Sequence, residues 1–136
     1  MNLPIDHARV LLARARDDEY VVRRLRGDPD APQWVLGFHA QQGVEKALKA
    51  VLSARGIAYP RTHNLVMLVE LLRRAQVLLP PDADGFGVLV PYGVALRYDD
   101  FQDVDPPRIA PEWFETVVTR TIGWAADSLR DADSAA

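Results

Sequence analysis

Leu36, Ala40, Val44, Ala47, Leu48, Val51 and Leu52 recur at steps of three and four residues, and this pattern limits the possible folds more than anything else in the chain. Apolar residues at that spacing line one face of an α-helix, whereas a half-buried strand alternates every second residue. The segment that carries them runs from about residue 33 to residue 55 and stops at Gly56. That length is several times an ordinary strand and ordinary for a helix. Gly43 interrupts the pattern at a cost of about 1 kcal/mol relative to Ala, which points to close approach of a neighbouring helix.

Two further segments repeat the periodicity. Residues 6–26 carry Ala8, Leu11, Leu12, Ala15, Val22 and Leu25, with Asp6 as a cap and Gly27 after the end. Residues 111–130 carry Phe114, Val117, Val118, Thr121, Ile122, Ala125 and Leu129, with Pro111 and Glu112 suited to a first helical turn. Between them, Thr62 or Asn64 can cap a helix built on Leu65, Leu68, Leu71 and Leu72 and ending near Ala75. Asp82 can open a short turn toward Phe86, and Pro91 either starts or kinks a helix around Tyr92–Arg97. Gly27–Pro32 and Asp103–Pro107 read as loops. No stretch combines strict alternation with β-branched residues and turn signals, so no sheet is expected. The expectation is an all-α, up-and-down helical bundle of four main helices plus a short or kinked extra helix. It forms one domain over residues 1–136, with 131–136 as a frayed tail. Asp18 falls near the apolar stripe of the first helix and reads as a boundary position.

Composition removes several function classes. A chain of 136 residues is long enough for one core, and should bury roughly two-thirds of its unfolded surface. Cysteine is absent, which excludes a disulfide framework, a thiolate metal site and a Cys nucleophile. The start, Met-Asn-Leu-Pro-Ile-Asp, lacks the basic-then-apolar pattern of a signal peptide. The longest nearly uncharged stretch, Phe86–Tyr98, is interrupted by Arg97 and is too short to span a bilayer. A cytoplasmic location without membrane attachment is therefore expected. The net charge of −3 gives no overall pull toward nucleic acid or anionic lipid.

Chemistry concentrates on the second helix. His39, Gln42, Lys46 and Lys49 follow one another at helical spacing and share a face apart from the apolar stripe. An imidazole, an amide and two ammonium groups suit a phosphate or a nucleobase edge. The same face also fits a solvated surface with a Glu45–Lys49 helix pair worth a few tenths of a kcal/mol. Arg61-Thr62-His63-Asn64 sits at a helix start, where free N–H groups can take an anion or simply a side-chain cap. Arg97 and Tyr98 end the 89–98 segment, where Arg97 can satisfy helix carbonyls or pair with phosphate beside the Tyr ring. The three His residues, at 7, 39 and 63, lack any metal-ligand spacing, and no Walker or dinucleotide-binding loop is present. No metal and no cofactor are expected.

Three segments in this order resemble the HEPN family: Phe38-His39-Ala40-Gln41-Gln42-Gly43-Val44-Glu45-Lys46-Ala47-Leu48-Lys49-Ala50, then Thr62-His63-Asn64-Leu65, then Leu89-Val90-Pro91-Tyr92-Gly93-Val94-Ala95-Leu96-Arg97-Tyr98. The first is the most specific, and the resemblance runs from the first helix to the last. It implies an up-and-down bundle, a two-fold homodimer, and a role in nucleotide or RNA transactions. Prokaryotic members often act with a minimal nucleotidyltransferase, sometimes as toxin and antitoxin. Members that cut RNA carry an Arg followed four to six residues later by a His. Here Arg97 has no such partner, and no His occurs after His63. The resemblance thus implies a non-catalytic domain, with Arg97, Tyr98, His39, Gln42, Lys46, Lys49 and His63 as candidate nucleotide- or phosphate-binding residues and no catalytic residue assigned. A protein-docking dimerisation module and a divergent metal-independent ribonuclease are the alternatives.

Overall fold

The computed structural model describes residues 3–94 and 107–134. Among them are four α-helices and no strand: α1 (Pro4–Leu25), α2 (Gln33–Ala54), α3 (Leu65–Arg74) and α4 (Pro111–Ser134). Two 3-10 segments, Ala83–Val88 and Val90–Val94, lie between α3 and α4. The all-α bundle with short extra turns is therefore present. The expected short extra helix is a pair of 3-10 turns with Pro91 in the second. Residues 95–106, with Arg97, Tyr98 and most of the Asp103–Pro107 loop, fall outside the described residues. No helix among the described residues is long and apolar enough to cross a membrane.

Helix ends follow local chemistry. α1 starts two residues before Asp6, which accepts from the Leu3 backbone N–H at 3.1 Å and so caps from inside the first turn. Asn64, not Thr62, caps α3, accepting from Val66 and Met67 N–H at 3.0 and 3.3 Å. Thr62 Oγ1 supports it by accepting from the Asn64 N–H at 3.0 Å. α2 stops at Ala54, and Gly56 just beyond it, with a φ of 69°, lets Ile57 N–H reach back to Leu52 O at 2.9 Å. α4 runs to Ser134, past the end expected at 130. On that added turn Asp133 accepts from Arg9 at 2.8 Å, an exposed pair that contributes little.

α2 is the axis of the fold. It packs against α1, α3, α4 and the Val90–Val94 turn, and Trp34 is its one exposed residue. Its stripe of Leu36, Ala40, Val44, Ala47, Leu48, Val51 and Leu52 is buried with Ala8, Ala15 and Val22 of α1 and Phe114, Val118 and Ile122 of α4. Gly43 is the anticipated close approach: a Cβ there would stand 2.5 Å from Val118 Cγ2. Gly37 is tighter, because a Cβ would meet the Tyr92 ring at 2.3 Å. Tyr92 in turn stacks edge-on against Phe114, with centroids 5.7 Å apart. Gln33 fastens this end, donating to Tyr92 Oη and Pro107 O at 2.8 Å each and accepting from Ile109 N–H at 2.9 Å.

These contacts give one substitution opposite signs at two sites. Gly123 lies on the exposed side of α4 with nothing near a new Cβ, so Gly123→Ala should stabilise by about 0.5–1 kcal/mol through helix propensity. Gly37→Ala gains the same propensity but drives a methyl into the Tyr92 ring, and should destabilise by about 1–2 kcal/mol net. Urea unfolding midpoints of the two variants, compared with the parent, check both signs.

Candidate functional site

Two carboxylates lie almost out of reach of water. Asp18 projects from α1 and is 7% exposed; Glu45 lies on α2 and is 5% exposed. A buried carboxylate is costly unless its oxygens are matched by donors and opposite charge. Both are matched. Asp18 Oδ2 accepts from Lys46 Nζ at 2.6 Å, and Oδ1 accepts from His39 Nδ1 at 2.9 Å. Glu45 Oε2 accepts from Lys49 Nζ at 3.0 Å, and Oε1 takes both His63 Nδ1 at 2.8 Å and Gln41 Nε2 at 3.0 Å.

The amides bind the second group together. Gln41 is fully buried; its Nε2 also donates to the His63 carbonyl at 3.1 Å, and its Oε1 accepts from Gln42 Nε2 at 2.7 Å. The Lys49 ammonium lies 5.7 Å from the Tyr59 ring centroid, over its face. Each imidazole therefore gives its Nδ1 proton to a carboxylate, since a carboxylate only accepts. That fixes the tautomer and leaves Nε2 without a partner among the described residues. His63 is the more open, its side chain 61% exposed, while Lys49 is only 15% exposed.

The structure places the five predicted residues of this region in two networks: His39 and Lys46 on Asp18, and Gln42, Lys49 and His63 around Gln41 and Glu45. It corrects the picture of that region in two respects. The α2 face is not a solvated surface: the Glu45–Lys49 pair exists, but Glu45 is buried and anchors His63 and Gln41 as well. Asp18 is not a boundary residue but the buried partner of both His39 and Lys46. Its only sequence signal was an acidic residue close to an apolar stripe, and its partners lie 21 and 28 residues away. Arg97 and Tyr98 lie outside the described residues, and Arg61 is exposed beside His63. Among the described residues, no group of three or more His, Asp or Glu is arranged to hold a metal ion. A cleft of about 480 Å³ at the starts of α2 and α4, lined by Gln33, Leu36, Arg108 and Ile109 among others, contains none of the predicted site residues.

Compared with known protein families, the chain matches the HEPN domain over residues 9–124. It belongs to the HEPN domain family. No curated protein and no solved structure matches it. The matched span of this HEPN domain contains α2, α3 and the whole Asp18–Glu45 cluster, so the cluster lies within the family's own fold and not in an appendage.

The buried ion pairs make a stability prediction. Asp18→Ala leaves a Lys and a His half-buried without their shared acceptor, and should cost on the order of 3 kcal/mol. Asp17→Ala, on the exposed neighbouring position, should stay within about 0.5 kcal/mol. Denaturant midpoints of the two variants measure the contrast; equal effects would remove Asp18 from the interior network.

Proposed function

We propose that this chain is a non-catalytic HEPN domain that binds a phosphate-bearing ligand, nucleotide or RNA, at the α2 cluster. In this reading it works as a homodimer with a minimal nucleotidyltransferase partner, in the manner of a toxin–antitoxin pair. One observation carries the binding site: Lys46 and Lys49 are the only lysines of the chain, and each stands on a buried carboxylate that also holds an imidazole. Each ammonium has three donors and commits one to its carboxylate. The imidazole Nε2 atoms add either acceptors for a base edge or, when protonated, donors for phosphate. Fixed donors on a rigid helix suit recognition, because little ordering remains to be done on binding.

A second reading, a protein-docking module without nucleotide binding, is favoured by the one-for-one matching of the two lysines with Asp18 and Glu45. Divergent ribonuclease chemistry would need an acid–base pair beside a reacting phosphate. The family's Arg-to-His spacing does not occur after Arg97.

Titration of nucleotides and a short RNA against the purified protein, followed by thermal unfolding, separates the first two readings. A ligand at a hundred times its dissociation constant adds about 2.7 kcal/mol, a rise on the order of 4 °C for a domain this size. The double variant Lys46→Gln, Lys49→Gln should abolish that rise. Charge reversal is the wrong probe, because a Glu at either position faces a buried carboxylate and unfolds the site it tests. A flat response to every ligand, with a nucleotidyltransferase still co-purifying, would turn the assignment to docking.

A further inference from the structure

His63 is presented to solvent in one fixed orientation. Its side chain is 61% exposed, yet Nδ1 rests 2.8 Å from Oε1 of Glu45, which is itself 5% exposed. Its backbone is held as well: the carbonyl accepts from Gln41 Nε2 at 3.1 Å, and the next residue, Asn64, caps α3. Glu45 is anchored in turn by Lys49 Nζ on Oε2 and Gln41 Nε2 on Oε1, each at 3.0 Å. With its proton on Nδ1, the neutral ring carries its lone pair on Nε2, the edge that meets no described residue. The other two imidazoles each lack half of this arrangement. His39 has a carboxylate, Asp18, but its side chain is only 28% exposed. His7 is exposed but makes no side-chain hydrogen bond among the described residues.

We propose that Nε2 of His63 is a phosphoryl-acceptor site, charged by a phosphoramidate donor, with Glu45 as the positioning residue that makes it nucleophilic. The modification is covalent and does not require the reversible phosphate site proposed above. The Nε2 lone pair attacks phosphorus, the Nε2–P bond forms and the donor's P–N bond breaks. The donor nitrogen, already protonated, takes the bonding electron pair and leaves as a neutral amine. No proton leaves the ring, because Nδ1 keeps the one it donates to Glu45. The ring therefore passes from neutral to cationic as the new bond forms. A carboxylate 2.8 Å away then accepts from a cation where it had accepted from a neutral ring, so it contributes more after transfer than before. The ring also has nothing to reorient, which favours the attacking geometry. The phosphoryl dianion that results has no acidic neighbour along the chain, since residues 58–69 include neither Asp nor Glu. Arg61, two residues earlier, is exposed and pairs with no described carboxylate.

Potassium phosphoramidate added to the unmodified protein tests this, with peptide mass mapping to identify the labelled residue and phosphorus NMR to identify the ring nitrogen. His63 should be labelled at Nε2 about tenfold faster than His7, the exposed imidazole of the same molecule that no carboxylate assists. In concentrated urea the two should react at similar rates, because unfolding takes the carboxylate off the ring. Glu45→Gln keeps the shape and a hydrogen-bond acceptor but removes the charge. It should slow His63 by about tenfold, as expected for removing a unit charge beside a developing cation in a partly shielded site, and leave the His7 rate unchanged. A contact that only braces the 59–64 connection would give His63 no advantage over His7 and would not slow it when the charge is removed. If Glu45→Gln does not fold, the comparison of folded and urea-unfolded parent decides alone. Equal rates at His63 and His7 in the folded protein, labelling of His63 at Nδ1, or a folded Glu45→Gln variant that reacts at the parent's rate each overturns the proposal.

Discussion

A helix covered on almost every side cannot leave its polar residues to water, and α2 is such a helix. It carries Gln33, His39, Gln41, Gln42, Glu45, Lys46 and Lys49 while exposing only Trp34. Those groups must find partners within the protein, and the partners they find tie the surrounding elements to α2. Asp18 sets the rotation of α1, since its two oxygens must meet His39 and Lys46 across the helix pair. Glu45 sets the path of the connection after α2, since it holds the His63 ring while Gln41 holds the His63 carbonyl. Asn64 follows immediately and caps α3. One buried carboxylate thus fixes where the third helix begins.

Small residues do the corresponding work at the other end. Gly37 lets the Tyr92 ring lie against the α2 backbone, and Gly93 lets the 3-10 turn lie against the Gln41 amide, where a Cβ would come within 2.8 Å. Gln41 is therefore shared. Its amide belongs to the polar cluster through Glu45, Gln42 and His63, and it also forms the floor on which the Val90–Val94 turn rests. Packing and chemistry meet in this side chain, because a fully buried amide must be both surrounded and satisfied.

Much of this was legible in the sequence because it depends on residues close together along the chain. The apolar stripes located α1, α2 and α4 to within a few residues, and Gly43 gave away the close approach to α4. The Glu45–Lys49 pair follows from a spacing of four. Asp18 did not reveal itself, because its partners are brought to it by the packing of α1 on α2, and a single acidic residue at a stripe edge looks the same whether it faces water or a lysine. The depth of Glu45 was hidden for a similar reason. Helical periodicity tells which residues share a face, but how far a neighbour covers that face is decided by α1 and by the 59–64 connection. The 3-10 form around Tyr92 has a local cause: Pro91 removes one donor from a short segment that already holds Gly87 and Gly93.

The choice of lysine at this site is informative in a chain whose other basic residues are all arginine. An Arg beside Asp18 or Glu45 would pair through two parallel N–H bonds, fill both carboxylate oxygens, and displace the imidazole that now holds one of them. A lysine is a point charge. It satisfies one oxygen, leaves the other for His39 or His63, and keeps donors uncommitted. The carboxylate can then serve an ammonium and an imidazole together, and each ends with unpaired capacity directed away from the shared anchor. A purely structural ion pair gains nothing from that division of the carboxylate, since the bidentate pair is the stronger.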